Sequence, residues 1–176
     1  MTYINESSQV PKRKLLLLGA SSFVGQRLYQ KIGSESAVGT CFRNPHIGMR
    51  YFNSVGMDLG SIIRGSDNFS HAVILLGDTQ PDSCFSDERI SESVNVNSIL
   101  NIIDILVAKR IMPVFISSQF VFDGDRGGYV EEDAVNPILV YGKQKVSVEQ
   151  YLKNNCERYL VLRLGNVYGD TRGDGT

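Results

Sequence analysis

Residues 15–25 read LLLLGASSFVG: an apolar run, a glycine, five further residues and a second glycine. Leucines without polar alternation are typical of a strand that is covered on both faces. The next segment, Phe23–Ile32, has helical periodicity. The stretch therefore predicts a strand that turns sharply into a helix, the arrangement in which a helix N-terminus binds the pyrophosphate of a dinucleotide.

The predicted turn differs from the usual dinucleotide-binding turn at one position. Gly19 allows a tight turn after the strand, and Gly25 allows the helix to pack close to it. Ser22 stands where such turns usually carry a glycine, because a side chain there intrudes on the phosphates. Its small hydroxyl could instead donate to a phosphate oxygen. The turn alone leaves open whether this is a cofactor loop or an ordinary strand–turn–helix.

The rest of the chain repeats the alternation of short apolar runs and helical segments. This pattern predicts one doubly wound α/β domain over residues 1–176, with a mostly parallel sheet and a flexible polar lead-in over residues 1–12. The predicted strands are Lys14–Leu18, Ala37–Phe42, Ala72–Leu76, Pro113–Ser117 and Tyr159–Leu164, with Met49–Asn53 as a further candidate. The predicted helices are Phe23–Ile32, Ile90–Lys109 and Leu139–Asn154.

Composition argues against several classes of partner. A net charge of −1 gives no electrostatic reason to expect nucleic acid or an anionic membrane, and the apolar runs are too short to span a membrane. Cys41, Cys84 and Cys156 are too few and scattered for a disulfide framework or a metal site, and only two histidines are present. We therefore predict buried free thiols, no metal and a cytoplasmic location.

The second predicted strand bears on the choice of cofactor. In dinucleotide-binding domains an Asp or Glu about 20 residues beyond the turn holds the adenosine ribose. Here the segment 37–45 reads AVGTCFRNP, with no carboxylate and with Arg43 near its end. An arginine can pair with a 2′-phosphate, so the sequence favours NADP(H), with NAD(H) as the alternative. A solvated surface arginine is the competing interpretation.

A helix start is predicted before a pair of reactive side chains. Asn136 can cap the helix and Pro137 suits its first position. Tyr141 and Lys145 then lie four residues apart on one helix face. A neighbouring ammonium stabilises a phenolate, so we expect Lys145 to lower the pKa of Tyr141 and to make its hydroxyl a usable proton donor or acceptor.

A hydroxyl at the end of a strand completes this group. Ser117 or Ser118 could hydrogen-bond a carbonyl oxygen and position it. Ligands bind at the carboxyl ends of parallel strands, so these serines are expected beside Tyr141 and Lys145.

The segment 116–145, ISSQFVFDGDRGGYVEEDAVNPILVYGKQK, resembles extended short-chain dehydrogenases/reductases, and most of all dTDP-4-dehydrorhamnose reductases. Matching features are the serine pair that ends a strand, the VFDG run, Glu-Glu-Asp, Asn-Pro and Tyr-Gly-x-x-Lys. Further matches, in the same order as in the family, are GASSFVG, MDL at 57–59, VNVN at 94–97 and LRLGNVYGD at 162–170. The resemblance covers about 150 residues and implies an NAD(P)-binding Rossmann fold.

The resemblance also implies roles for individual residues. Tyr141 would donate a proton to a ketone of a nucleotide-linked sugar, Lys145 would assist it and bind the nicotinamide ribose, and Ser118 would orient the carbonyl. Asp58 and Leu59 would contact the adenine. The other implied cofactor contacts are Gly19, Ser21, Ser22, Phe23, Val24, Gly25, Arg43, Leu76, Gly77 and Ser117.

Three departures from the family leave the function open. Ser22 replaces a glycine, Gln119 stands where the family has an aspartate, and residues 165–176 would only begin the substrate-binding part, missing or truncated here. We expect an NADP(H)-dependent reductase of a 4-keto nucleotide sugar, with little turnover by these 176 residues alone. The alternatives are an NAD-dependent nucleotide-sugar epimerase or dehydratase, and a nucleotide-binding regulatory or scaffolding protein. The oligomeric state is not determined, and a homodimer is one option.

Overall fold

The computed structural model describes residues 13–169; the predicted lead-in and residues 170–176 lie outside them. Strands and helices alternate along the described chain. The strands are β1 (Lys14–Leu18), β2 (Ala37–Cys41), β3 (Arg50–Tyr51), β4 (Phe69–Ile74), β5 (Met112–Ser118) and β6 (Leu160–Leu164). The helices are α1 (Phe23–Ile32), α2 (Pro81–Ser86), α3 (Glu88–Glu92), α4 (Ser98–Ala108) and α5 (Val140–Asn155). A π-helical turn, Ser93–Asn97, joins α3 to α4, and 3₁₀ turns occupy Leu59–Ser61 and Gln119–Val121.

The six described strands form one sheet in the order β3-β2-β1-β4-β5-β6, and every neighbouring pair is parallel. The chain first moves outward from β1 to β3 and then returns to β4 on the other side of β1. This confirms the predicted doubly wound α/β fold. In open sheets of this kind, ligands bind in the crevice where the strand order reverses, which here lies at the carboxyl ends of β1 and β4.

Burial on both faces of the sheet explains the unbroken leucine run. Leu16 and Leu18 belong to the larger core, which α4 and α5 cover, whereas Leu17 belongs to the smaller core beneath α1. Successive residues of a strand point to opposite faces, so a strand between two helical layers needs apolar residues at every position. The three cysteines are buried free thiols, as predicted.

Several predicted boundaries differ from the structure. The expected helix Ile90–Lys109 begins earlier and contains the π-helical turn, and α2 has no counterpart in the prediction. Strand β4 begins at Phe69 because its first residues pair with β1 although Ser70 and His71 are polar. The candidate strand at 49–53 shortens to Arg50–Tyr51.

The run Glu88–Ala108 is long and apolar enough to cross a membrane by length and composition alone, with a mean hydropathy of 1.3. Its apolar side chains from α4 lie in the larger core, where Ile99, Ile103 and Leu106 are fully or almost fully buried. Packing against the sheet therefore accounts for these apolar side chains of α4.

The predicted cap of α5 is wrong, although the predicted first residue, Leu139, is within one position of the observed helix start. Asn136 does not cap the helix, because its side-chain amide donates to Asp123 over 2.9 Å and its backbone N–H donates to the Val121 carbonyl. Pro137 consequently precedes the helix, which begins at Val140. A contact distant in sequence has thus replaced the local cap.

Candidate active site

A cleft of about 610 Å³ opens at the carboxyl edge of the sheet. It is lined by residues from the α1 N-terminus, from the ends of β4, β5 and β6, and from α5. The predicted site residues that it brings together are Ser22, Phe23, Val24, Leu76, Ser117, Ser118, Tyr141 and Lys145. Residues that the sequence places as much as 123 positions apart thus share one cavity.

Both glycines of the turn are required by its geometry. Gly19 has φ +88°, and a Cβ atom there would lie 3.1 Å from the Leu75 backbone. A Cβ atom at Gly25 would lie 2.5 Å from the carbonyl oxygen of Gly19, which is closer than real Cβ contacts come. The close approach predicted for Gly25 is present, and the atoms that it approaches belong to the turn.

Ser22 has a structural role at this turn. It occupies the N-cap position of α1, where its Oγ accepts a hydrogen bond from the Gly25 N–H over 3.2 Å. A hydroxyl that accepts one hydrogen bond still has its own hydrogen to donate. The predicted donation to a phosphate is therefore compatible with capping, and stays a prediction. The neighbouring Ser21 accepts a hydrogen bond at its carbonyl from the Gln26 side chain.

Seven predicted cofactor residues are not among those that line the cleft: Gly19, Ser21 and Gly25, which belong to the turn before α1, and four residues outside that turn. Arg43 is exposed beyond the end of β2, and Gly77 lies directly after the cleft residue Leu76. Asp58 borders a separate cavity of about 490 Å³ beside α4, and Leu59 is 1% exposed within the larger core. The contacts proposed for these four residues remain predictions.

Lys145 is almost fully buried. Its Nζ donates to the Ile116 carbonyl over 2.9 Å and lies 4.6 Å from the Phe115 ring centroid and 5.4 Å from that of Tyr141. Burial disfavours the ammonium and lowers the pKa of Lys145 to about 8, opposed by the negative charges of Cys84, when ionised, and Glu149. Lys145 is thus a cation at neutral pH that can lose its proton in mild alkali.

The pKa of Tyr141 moves opposite to the sequence prediction. Burial raises the pKa of Tyr141 to about 12, with further raising by Cys84 and Asp78, while a hydrogen bond with Ser118 lowers it. Desolvation of the phenolate thus outweighs any stabilisation by Lys145 in this structure. Tyr141 is therefore protonated at neutral pH, the state required of a proton donor.

Gly142 was not singled out by the sequence analysis. It follows Tyr141 in α5, and a Cβ atom there would lie 2.1 Å from the carbonyl oxygen of Phe120. The Phe120 ring in turn packs edge-on against Tyr141, with centroids 6.2 Å apart. The glycine of Tyr-Gly-x-x-Lys is thus what allows α5 to approach the turn after β5, and its presence in that motif was the available signal.

A buried polar network behind the cleft was also missed. Asn95, in the π-helical turn, donates to the Gln144 side chain over 2.7 Å and to the Asp78 carbonyl over 2.9 Å, and accepts from the Asp78 N–H over 2.7 Å. Gln144 donates to Ser91 over 2.8 Å. These bonds connect α5 with α3, the π-helical turn and the segment after β4. Asn95 belongs to the VNVN segment that matches the family, and this match was the available signal. The sequence alone could not show which residues Asn95 bonds to.

A second cavity, of about 630 Å³, adjoins the cleft and shares Phe120 and Gly165 with it. Its lining carries both signs of charge, from Asp123, Glu131 and Arg163. Gln119, one of the departures from the family pattern, lines this cavity too.

Comparisons with known proteins agree with this architecture. Residues 13–175 match the family model described as RmlD substrate binding domain. The rat protein named methionine adenosyltransferase 2 subunit beta is 28% identical over 171 residues, which are 95% of this chain and 51% of the rat protein.

Solved structures show the same fold at lower identity. A Bacillus anthracis dTDP-4-dehydrorhamnose reductase in complex with NADP has a TM-score of 0.73 and 22% identity, over 92% of this chain and 56% of that one. MoeE5 in complex with UDP-glucose and NAD has a TM-score of 0.75 and 19% identity, over 85% of this chain and 53% of that one. The chain thus spans about half the length of the proteins it matches.

Proposed function

Since the chain belongs to the RmlD substrate-binding domain family, we propose that it binds NADP(H), in preference to NAD(H), and serves the reduction of a 4-keto nucleotide sugar. The observation that carries this proposal is the single cleft that joins the α1 N-terminus to Ser118, Tyr141 and Lys145. One end suits an anionic pyrophosphate, and the other holds groups suited to a ketone.

The residues present fit a nicotinamide dinucleotide. The cleft volume lies within the usual range for small-molecule sites, about 300–1,000 Å³. Gly19 has a positive φ and Gly25 leaves no room for a Cβ atom, so the backbone itself forms the turn wall, and the α1 N-terminus presents its dipole and the N–H groups of its first turn there. Ser22 would add a hydroxyl, and Lys145 would hold a ribose. When bound, the dinucleotide would supply a hydride.

The chain's own residues would handle the proton. The pKa of Tyr141 is about 12, so its hydroxyl is protonated at neutral pH. The hydroxyl is therefore available to donate to a carbonyl oxygen that becomes negative during reduction. The Lys145 ammonium would stabilise the phenolate left behind. Ser118, which hydrogen-bonds Tyr141, would orient the carbonyl from the end of β5.

Cofactor binding is tested by titrating NADPH and NADH into the 176-residue chain and following nicotinamide fluorescence. The chain has no tryptophan, so indole emission does not interfere. We expect NADPH to bind more tightly than NADH. Arg43→Ala should raise the Kd of NADPH about tenfold, because a charged hydrogen bond to a phosphate can contribute about 1.4 kcal/mol of binding free energy. The exposed Arg158→Ala is the matched control. Equal affinity for both cofactors in wild type and Arg43→Ala would remove the arginine argument.

The proton-donor role is tested with Tyr141→Phe, in the protein encoded with whatever coding sequence follows Thr176. Loss of the hydroxyl should lower kcat for a 4-keto nucleotide sugar by about 10²-fold or more, because a positioned general acid contributes about that much. Undiminished ketone reduction by the variant would eliminate Tyr141 as the donor.

A second candidate function is a nucleotide-binding subunit without turnover of its own. It is supported by the rat relative, which matches 95% of this chain and is named as a subunit of methionine adenosyltransferase. NADPH binding without consumption over a panel of keto sugars, together with co-purification with a methionine adenosyltransferase, would favour it. Robust ketone reduction would exclude it.

The NAD-dependent epimerase or dehydratase remains the third candidate. Its support is the fold shared with MoeE5, whose structure contains UDP-glucose and NAD. NAD that stays bound through purification, with no preference for the phosphorylated cofactor, would favour it over the reductase.

We also propose a reducing, cytoplasmic location, since Cys41, Cys84 and Cys156 are buried free thiols. Alkylation of the thiols at the moment of cell lysis tests this. A disulfide-linked fraction would contradict it.

A further inference from the structure

Glu149 is a partly buried charged residue that the proposed reaction does not yet use. Helix α5 carries Tyr141, Lys145 and Glu149 at intervals of four residues, so the three side chains follow one another along one helix face. The Glu149 side chain is only 11% exposed. Burial of a carboxylate is expensive unless it is paired and hydrogen-bonded, so its partners indicate why it is there.

The Glu149 carboxylate connects three elements of the fold. Its Oε1 accepts from Ser117 Oγ over 2.5 Å and from Arg163 Nε over 3.1 Å, and its Oε2 accepts from Arg163 Nη2 over 2.7 Å. Ser117 and Arg163 are paired in register across β5 and β6. The carboxylate thus fixes α5 against the carboxyl ends of two neighbouring strands.

The point of attachment on β5 is significant for the site. Ser117 lies between Ile116, whose carbonyl accepts the hydrogen bond from Lys145, and Ser118, which hydrogen-bonds Tyr141. A displacement of Ser117 would therefore move the partners of both active-site side chains. Three consecutive residues of β5 bond to three residues spaced one turn apart on α5.

We propose that Glu149 is a positioning residue of the active site: through Ser117 it fixes the end of β5 beneath Lys145 and Ser118, and it sets a carboxylate, with Arg163 as counter-ion, one helical turn from Lys145 on α5. The catalytic consequence rests on the proposed reductase function. The effect on Lys145 itself concerns the protein without any ligand.

Among residues 13–169, the groups whose charge acts on Lys145 are Glu149 from α5 and Cys84 from α2. The uncharged Tyr141 ring also faces Lys145 from α5, and Asp78 acts on Tyr141 and Cys84. Burial lowers the pKa of Lys145, and the charges of Cys84 and Glu149 raise it. Burial also raises the pKa of Cys84, so this thiol carries no charge at neutral pH. The other group that acts on Lys145 is the Glu149 carboxylate, which forms an ion pair with Arg163.

The experiment titrates Lys145 by NMR in the 176-residue chain labelled at lysine Cε and Nζ, with the resonance assigned by its loss in Lys145→Arg. In Glu149→Gln the pKa of Lys145 should fall below its wild-type value, because a negative charge is removed and Arg163 is left unbalanced. In Arg163→Gln the pKa of Lys145 should rise above its wild-type value, because Glu149 loses its counter-ion. Glu157→Gln and Arg158→Gln, both exposed, are the matched controls and should leave it unchanged.

The two variants break the same ion pair, so a purely structural link predicts the same change in both. Opposite shifts of the Lys145 pKa support the proposal; shifts in one direction, or none, overturn it. If either single variant fails to fold by circular dichroism, Glu149→Met/Arg163→Met replaces the whole pair, which is often tolerated. The pKa of Lys145 should then fall below the wild-type value, and an unchanged pKa overturns the proposal.

A second measurement connects this effect to the proposed function. In Glu149→Gln the NADPH Kd should rise severalfold at pH 8, near the pKa of Lys145, and change less than about twofold at pH 6, where Lys145 is charged in both proteins. Equal changes at both pH values overturn the role of Lys145 protonation. If wild type binds no NADPH at either pH, the proposed function fails. The NMR titration still tests the role of Glu149, because it is carried out without any ligand.

Discussion

The two ends of the cleft are built in different ways. At the end formed by the turn before α1, the backbone depends on Gly19, Ser22 and Gly25, which contact one another within seven consecutive residues. At the other end, Tyr141 and Lys145 depend on groups that come from distant parts of the chain, such as the Ile116 carbonyl. The first end is set by local backbone geometry and can be derived from sequence. The second is set by burial and long-range hydrogen bonds, which only the folded chain provides.

The largest expected effect is at Gly142. In Gly142→Ala, the new Cβ would lie 2.1 Å from the Phe120 carbonyl, so α5 must move away from the turn after β5. We expect a loss of about 3 kcal/mol in the free energy of unfolding, measured by urea denaturation. Gly65→Ala is the control, because nothing lies within 4 Å of a Cβ atom there. Equal stabilities of the two variants would contradict the tight contact and weaken the distinction between the two ends.

The buried network at the same end should give the next largest effect. Asn95→Ala removes the partner of the Asp78 N–H and of the Gln144 carbonyl oxygen, leaving buried polar atoms unpaired. We expect a loss of about 2 kcal/mol. Asn101→Ala, at an exposed position of α4, should cost much less. A result for Asn95→Ala as mild as that for Asn101→Ala would mean that the network does not hold α5 in place.

The burial of Lys145 predicts a specific dependence of stability on pH. Its pKa is about 8 in the folded protein and near 10.5 when unfolded, so below pH 8 both states are protonated and the burial penalty is fully present. Between pH 8 and 10.5 the unfolded state binds more protons, and this penalty is relieved as the pH rises. In Lys145→Met the free energy of unfolding should not increase over this pH range. At pH 7 the variant should be more stable than wild type by on the order of 2 kcal/mol, reduced by the contribution of the lost hydrogen bond to Ile116.

Urea unfolding at pH 7 and 9.5 measures this difference between wild type and Lys145→Met. Tyr141 acts in the opposite sense at higher pH: its folded pKa of about 12 exceeds the ordinary value of 10, so stability declines between those values in both proteins. Parallel pH profiles for the two proteins up to pH 9.5 would show that Lys145 is not the group responsible.

The smallest expected effect is at the end formed by the turn before α1. Ser22→Ala removes the acceptor for the Gly25 N–H and should cost about 1 kcal/mol, whereas Ser22→Gly should cost a few tenths, as at other N-caps. Ser21→Ala, beside it, is the control. NADPH affinity separates the two roles of Ser22. If Ser22→Gly binds NADPH as tightly as wild type, the Ser22 hydroxyl caps the helix and does not contact the cofactor.

The same contrast explains which predictions were accurate. The bounds of β1 and α1 were predicted correctly because apolar burial and helical periodicity are local properties of that stretch. The cap at Asn136 was wrong because Asp123 takes its amide. The raised pKa of Tyr141 could not be foreseen, since the Tyr-x-x-x-Lys spacing reports a neighbouring charge but not the desolvation that exceeds it.

The π-helical turn Ser93–Asn97 has a consequence for insertions and deletions. A π turn holds one more residue than an α turn, so it acts as a one-residue insertion within the helical run. Deletion of one residue here would restore a regular α-helix, yet it would rotate α3 by about 100° relative to α4. Ser91 and Asn95 would then no longer both face Gln144. The one-residue deletion would therefore preserve the helix but break its hydrogen bonds to α5.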